Sequence, residues 1–195
     1  MSEHIEIKRY NSIAIILHWV MAVGFLMMLG SGLTMSYVEN LEQSLKFNLY
    51  QWHKSGGVIL LLATMLRIIW RFVGQAPKLT ESFPKHERIA AKLGHVGLYA
   101  MMIIMPVSGW FIVSSSSYGL PTIVFNLFEW PHIPNLQANK PVHEGAELVH
   151  FIGMIAFIAL IAAHIGAVVK HFVFDQENLL TRMWWSKTKD LNDEK

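Results

Sequence analysis

Histidine is the one abundant transition-metal ligand in this sequence, which has ten histidines and no cysteine among 195 residues. The lack of cysteine excludes disulfides, thiolate zinc sites, iron–sulfur clusters and thioether-linked haem within the chain. A neutral imidazole binds iron, copper or zinc through one ring nitrogen. Four histidines stand inside long apolar runs: His18, His53, His150 and His164. Because an ionisable side chain is costly in lipid without a partner, these four are the first candidates for a functional site.

The elements that must position these histidines are four apolar runs, at residues 13–37, 50–72, 93–115 and 148–170. Each run reaches the length of about 20 residues that a helix needs to cross a bilayer, and 53% of the chain is hydrophobic. We therefore expect an all-α fold, a transmembrane four-helix bundle surrounded by membrane lipid. Residues 1–189 are expected to form a single membrane-embedded domain, and residues 190–195 a polar tail. The first run is too long for the core of a signal peptide, so we expect it to be retained.

Lysine and arginine are distributed unevenly around the four runs. Most of them precede the first run, lie between the second and third, or follow the fourth, whereas the opposite side has only Lys46, Lys54 and Lys140. The positive-inside rule then predicts that the N and C termini both lie in the cytoplasm. The net charge of +2 provides no broad electrostatic field for nucleic acid, so no nucleic-acid partner is expected.

This orientation sorts the four histidines into two depths. His18 and His164 lie near the cytoplasmic level, and His53 and His150 lie near the opposite surface. His150 and His164 are 14 residues apart on one helix, which is about four turns, so they share a face. Two bis-histidine sites stacked across the bilayer follow, and each fits a haem iron because a four-helix bundle can hold a flat macrocycle between facing helices. Each histidine taken alone could instead be a hydrogen-bonded residue of a helix interface.

Four further residues near the cytoplasmic ends of the runs are candidates for contacts with haem propionates or a quinone headgroup: His95, His171, Arg67 and Arg71. Structural or solvated roles explain the two histidines as well, and the orientation signal explains the arginines. Residues 118–134 are expected to form a polar excursion at the surface. Residues 175–185 are expected to be either a short interfacial helix or a solvated tail. No internal repeat is evident.

Several short motifs surround these histidines: Leu17-His18-Trp19, His53-Lys54-Ser55-Gly56 with Arg67 and Trp70-Arg71 downstream, Leu93-Gly94-His95, His150 with His164, and Lys170-His171-Phe172 followed by residues 178–183. With them the sequence resembles the prokaryotic cytochrome b561 family, from about Arg9 to Met183. The resemblance implies a four-helix membrane protein of the bacterial inner membrane with two haem b groups. It also implies that His18 and His164 are the axial ligands of one haem, and His53 and His150 those of the other.

The resemblance further implies a function, the transfer of single electrons across the bilayer to or from quinone. One branch of the family oxidises superoxide with ubiquinone as acceptor, so we expect a quinone-linked oxidoreductase whose donor is superoxide or a periplasmic redox protein. Two alternatives stay open. The chain could be a membrane anchor and electron conduit for a separate dehydrogenase or periplasmic redox partner, which copurification would reveal. It could also be a histidine-based metal or proton transporter without haem, which a colourless purified protein would indicate.

Overall fold

A computed structural model of the protein describes residues 9–74 and 83–185, and long helices dominate both segments. The elements in chain order are α1 (Ser12–Tyr37), α2 (Gln43–Val73), α3 (Lys85–Ser115), β1 (Thr122–Val124), β2 (Phe128–Trp130), α4 (Lys140–Val173) and a 3-10 helix (Leu179–Met183). All four α-helices are long and apolar enough to cross a membrane. The expected transmembrane four-helix bundle is therefore confirmed, while the expected tail at residues 190–195 lies outside the described residues.

Three of the helices begin well before the apolar runs that predicted them. α2, α3 and α4 start at Gln43, Lys85 and Lys140, ahead of the apolar runs at 50, 93 and 148. Hydropathy marks only the part of a helix inside the hydrocarbon core, about 30 Å thick. Backbone hydrogen bonding carries the helix on through the headgroup layer, so a 31-residue helix such as α3 reaches about 46 Å.

The bundle has two chemically different ends, because successive helices run in opposite directions. We call one the basic end, which holds the start of α1 and α3 and the end of α2 and α4. Its contacts include Tyr10 Oη accepting from Arg71 (3.4 Å) and Lys170 donating to Glu87 (2.5 Å). We call the other the hairpin end, which holds residues 38–42 and 116–139.

The interior of the bundle is a small cluster of apolar side chains from α1, α2 and α4: Met21, Phe25, Leu60 and Phe157. Many other large apolar side chains point outwards, such as Phe72 and Met27 with exposed fractions of 85% and 69%. A water-soluble bundle would bury one apolar stripe of each helix and expose polar residues on the opposite face. The outward apolar surface is the one that a lipid-facing bundle requires.

A small β-hairpin covers the hairpin end. Its strands pair antiparallel with Ile123 opposite Glu129, and the turn contains Asn126 at φ 59°. Ser55 on α2 fastens the hairpin. Its hydroxyl accepts from the Phe125 backbone N–H (3.2 Å) and shares its one proton between the carbonyls of Gln51 (2.8 Å) and Ile123 (3.2 Å). The surface excursion expected at residues 118–134 therefore has strand structure that its short, non-alternating sequence did not predict.

The 3-10 helix after α4 folds back over the start of α1. The Trp19 indole donates to the Met183 carbonyl at 2.7 Å, and the Tyr10 backbone N–H donates to the Arg182 carbonyl at 3.0 Å. Of the two expectations for residues 175–185, the short helix is thus the one that the structure contains, in 3-10 rather than α form.

Candidate functional site

The four histidines of the apolar runs lie in two pairs between separate helices. At the hairpin end, His53 on α2 and His150 on α4 have ring centroids 6.3 Å apart with an interplanar angle of 66°. At the basic end, His18 on α1 and His164 on α4 have the same separation of 6.3 Å and the same angle of 66°. The structure thus brings together the two pairs that depth in the membrane predicted.

This separation fits a metal ion bound between the two rings of a pair. An imidazole nitrogen bonds to a first-row transition metal at about 2 Å, so two imidazoles on opposite sides of one ion have centroids about 6 Å apart. Direct packing or a hydrogen bond between the rings does not need equal distances and angles at both ends of the bundle. The donor set and its spacing therefore match bis-imidazole coordination of a haem iron.

A serine on the neighbouring helix contacts each histidine of the hairpin-end pair. Ser31 Oγ on α1 lies 2.9 Å from His53 Nδ1, and Ser108 Oγ on α3 lies 2.9 Å from His150 Nδ1. Both contacts are at the ring nitrogen nearer the backbone, so Nε2 of each imidazole is left for another partner.

The basic-end pair has a third imidazole beside it. The ring of His95 on α3 lies 5.7 Å from that of His164, with an interplanar angle of 74°. Its Nδ1 is 2.7 Å from the Ala91 carbonyl oxygen, an acceptor, so Nδ1 carries the proton and Nε2 has a free lone pair. The sequence placed His95 only as a peripheral contact at the membrane surface. Its position next to His164 makes it a competitor of His18 for the same partner.

Arg67 brings a positive charge into the same cluster. Its Nη2 lies 3.2 Å from His18 Nδ1, and its Nε donates to the Tyr99 hydroxyl at 3.3 Å. Its Nη1 is buried and has no hydrogen-bond partner among residues 9–74 and 83–185. A buried guanidinium N–H normally has a partner, and a carboxylate is the partner that guanidinium geometry favours. Arg71 is exposed at the bundle surface and contacts Tyr10 instead.

Comparison with known proteins decides what kind of histidine site this is. The model of the family described as prokaryotic cytochrome b561 matches residues 9–186. The chain belongs to this family. It is 28% identical to cytochrome b561 homolog 2 of Escherichia coli (strain K12) over 186 residues, 94% of this chain and 95% of that protein. It is 24% identical to cytochrome b561 homolog 1 of the same organism over 179 residues, covering 90% and 97%.

Family membership makes this chain a b-type cytochrome, a multi-pass bacterial membrane protein that binds haem and transfers electrons. The resemblance read from the motifs is thereby confirmed. Two glycines of this cytochrome let a neighbouring helix approach the hairpin-end imidazoles closely. A Cβ added to Gly32 would lie 3.4 Å from His53 Cε1, and one added to Gly109 would lie 3.5 Å from His150 Cε1. Each glycine leaves space beside its imidazole for no more than a methyl group.

His171 joins neither pair in this cytochrome. Its Nδ1 lies 2.6 Å from Asp175, and Lys170 contacts both Asp175 (2.9 Å) and Glu87 (2.5 Å). The Lys170 ammonium lowers the pKa of the Asp175 carboxyl. Although the Glu87, His171 and Asp175 ligand atoms lie within 4.8 Å of one another, the lysine already supplies the cation between the carboxylates. The cluster ties the start of α3 to the end of α4.

Sequence reasoning missed Ser31 and Ser108, and a short local repeat was the signal that would have found them. The sequence Met-x-x-Ser-Gly occurs at 28–32 on α1 and again at 105–109 on α3. Its partners also match, because His-x-x-Gly occurs at 53–56 on α2 and at 150–153 on α4. A Cβ added to Gly56 would lie 2.8 Å from Met28 Sδ, and one added to Gly153 would lie 2.9 Å from Met105 Sδ. The expectation of no internal repeat was therefore wrong at this scale.

Proposed function

We propose that this cytochrome holds two haem b groups and passes single electrons between them across the membrane, with a quinone as one terminal partner. In this proposal His53 and His150 are the axial ligands of the hairpin-end haem, and His18 and His164 are those of the basic-end haem. The single observation that carries it is the equal geometry of the two ring pairs, 6.3 Å and 66° at both ends. Haem supplies the one-electron redox chemistry when bound.

The protein's own contribution is ligation, orientation and exclusion of water. The two imidazoles of each pair would hold the iron of a bound haem, and a haem held by two imidazoles favours electron transfer over binding of oxygen. His150 and His164 are 14 residues apart on α4, a rise of about 21 Å. The buried cluster around Phe25 and Phe157 fills the interval between the pairs with apolar side chains. Apolar packing between the two pairs keeps protons away from the path of the electron, so proton transfer takes place at the two ends of the bundle.

The orphan Nη1 of Arg67 supports a propionate contact at the basic end. Haem b has two carboxylates, and a buried guanidinium N–H without a hydrogen-bond partner among residues 9–74 and 83–185 is a suitable donor to one of them. Quinone reduction at this end has a matching supply of protonatable groups. Glu87, Lys170 and Asp175 line a cavity of about 150 Å³ at the membrane surface, with His171 bonded to Asp175. His171 is in this proposal a quinone-site residue, whereas Arg71 contacts Tyr10 and is not among the residues that line this cavity.

We propose, more specifically, that the protein oxidises superoxide with ubiquinone as the electron acceptor. Superoxide is an anion, and the hairpin end offers Lys54 next to His53, with its ammonium bonded to the Pro121 carbonyl at 2.9 Å. A cation near the site raises the encounter rate of an anion. The purified protein exposed to a steady flux of superoxide should then reduce added ubiquinone, and Lys54→Gln should slow this reaction more at low salt than at high salt.

Haem content tests the ligand assignment. We expect two haems per chain in the wild type, with a low-spin b-type reduced-minus-oxidised spectrum. Each of four single variants should lose one haem: His18→Ala, His53→Ala, His150→Ala and His164→Ala. His86→Ala is the matched control, because His86 is an exposed histidine in the first turn of α3. Two haems retained in all four variants would refute the proposal.

A second ligand assignment for the basic end has its own observation, the 5.7 Å approach of His95 to His164. If His95 and not His18 were the axial partner, His95→Ala would lose the basic-end haem while His18→Ala kept it. We expect the opposite result, because His18 with His164 repeats the geometry of the hairpin-end pair.

A further inference from the structure

The hydroxyls of Ser31 and Ser108 each have a backbone carbonyl of their own helix as an acceptor. Ser31 Oγ donates to the Met28 carbonyl at 3.1 Å, and Ser108 Oγ donates to the Met105 carbonyl at 3.0 Å. A serine hydroxyl has one proton and two lone pairs. Each serine therefore faces its histidine, 2.9 Å away, with a lone pair only.

The imidazole must then supply the proton of each serine contact. A neutral imidazole has one N–H and one lone pair, so a donating Nδ1–H leaves the lone pair on Nε2. The serine contact thus selects the tautomer that can bind a metal through Nε2. The opposite tautomer would require each serine hydroxyl to leave its backbone carbonyl and donate to Nδ1 instead.

The glycine after each serine limits the freedom of the same ring. Gly32 and Gly109 bring the helix backbone against Cε1 of His53 and His150, with space for no more than a methyl group. Ser108 is itself buried, with an exposed fraction of 6%. Hydroxyl and backbone together contact two adjacent atoms of each imidazole, Nδ1 and Cε1, so the ring is positioned by its neighbouring helix as well as by its own.

We propose that Ser31 and Ser108 are matched positioning residues of the hairpin-end haem, each orienting one axial imidazole and lowering the midpoint potential of that haem by accepting its Nδ1–H. The inference rests on the proposed ligand assignment. A hydrogen bond accepted from a metal-bound imidazole makes the ring a stronger electron donor, which stabilises the oxidised metal.

The two serines should have equal effects on the midpoint potential of the hairpin-end haem, although the number of residues between serine and histidine differs. One contact joins α1 to α2 and the other joins α3 to α4, yet their distances agree at both the histidine and the carbonyl. The basic end is built differently, because Arg67 contacts Nδ1 of His18 and a backbone carbonyl contacts Nδ1 of His95. The effect of the serines should therefore be confined to one haem.

A redox titration of the purified holoprotein, resolved into two haem components, tests the inference. Ser31→Ala and Ser108→Ala should each move the hairpin-end component to a higher potential by similar amounts. At a fixed ambient potential the ratio of reduced to oxidised haem should rise about 2- to 10-fold, the equivalent of one hydrogen bond. The double variant should show the sum, and the basic-end component should not move.

Further variants separate an electronic effect from loss of structure. Ser108→Cys keeps nearly the same volume with a weaker acceptor, so it should give a smaller upward shift without a cavity. Ser31→Thr keeps the hydroxyl and should titrate like the wild type. Thr34→Ala is the matched control, because Thr34 on α1 donates to the Gly30 carbonyl and removal of that hydroxyl should shift neither component.

The outcomes distinguish this inference from the function on which it rests. If His53→Ala loses one haem but none of the serine variants shifts that component, the serines do not tune the haem and the inference is overturned, while the ligand assignment stands. If His53→Ala and His150→Ala both keep two haems, the ligand assignment itself is wrong.

Discussion

The ring of Phe25 on α1 meets the ring of Phe157 on α4 edge to face, with centroids 5.2 Å apart. Phe157 has an exposed fraction of 3% and stands midway along α4 between His150 and His164. The two rings therefore fill the layer between the histidine pairs. Contacts of this kind carry much of the stability of a membrane bundle, because lipid gives no hydrophobic gain for burying one apolar face against another.

Removal of the Phe157 ring should destabilise the bundle. We expect Phe157→Ala to lower the thermal midpoint of the protein in detergent and to cost about 3 kcal/mol, the low end for a buried aromatic residue, since loss of packing is the main component. Phe157→Leu should lose less. Phe72→Ala is the control, because the Phe72 ring is 85% exposed to the surroundings of the bundle. A midpoint unchanged by Phe157→Ala would contradict the packing argument.

The Arg67 charge should raise the midpoint potential of the basic-end haem. A nearby positive charge favours the reduced haem, which has one less positive charge, so Arg67→Met should lower that potential. A tenfold change in the equilibrium constant corresponds to about 59 mV for one electron, and we expect a shift of about this size. Arg71→Met should have a smaller effect, because Arg71 lies at the surface with Tyr10. Equal shifts in both variants would show that only the net charge matters.

Acid should weaken the contacts of Asp175 with the end of α4. Bonding to Lys170 lowers the pKa of Asp175, so its contribution to stability is present above the ordinary aspartate pKa of about 4 and is lost as the pH falls through the lower folded-state pKa. Thermal midpoints measured below about pH 4 should therefore converge for the wild type and Asp175→Asn, while the wild type is more stable at pH 7. Glu144→Gln, at an exposed pair with Lys140, should match the wild type at both pH values.

The orientation expected from the basic residues can be tested with single cysteines, since the chain has none of its own. Leu127→Cys lies at the hairpin end and Phe174→Cys at the basic end, and both side chains are well exposed. With both termini in the cytoplasm, a membrane-impermeant maleimide should label Leu127→Cys in cells with a permeabilised outer membrane. Phe174→Cys should be labelled only after the inner membrane is disrupted. The reverse pattern would invert the topology.

His95 and His164 lie at the same end of the bundle, on α3 and α4. Hydropathy and spacing predicted one level for His18 and His164, and their rings do lie side by side in the bundle. The sequence alone did not reveal that His95 also lies beside His164, 5.7 Å away. Its place at the start of an apolar run indicated a surface contact, and only the rotation of α3 about its axis turns the ring towards α4.

The sequence by itself determined the four membrane spans and the level of each histidine along them. A transmembrane helix satisfies its backbone within the segment, so its own residues fix it, and a rise of about 1.5 Å per residue then sets the depth of every side chain. The tertiary structure alone decided which side chains meet sideways, such as Ser31 with His53 and Arg67 with His18. The rotation of each helix and the choice of its neighbours depend on close packing between helices. In lipid a helix needs no contrast between a polar and an apolar face, so the sequence does not indicate its rotation or its neighbours.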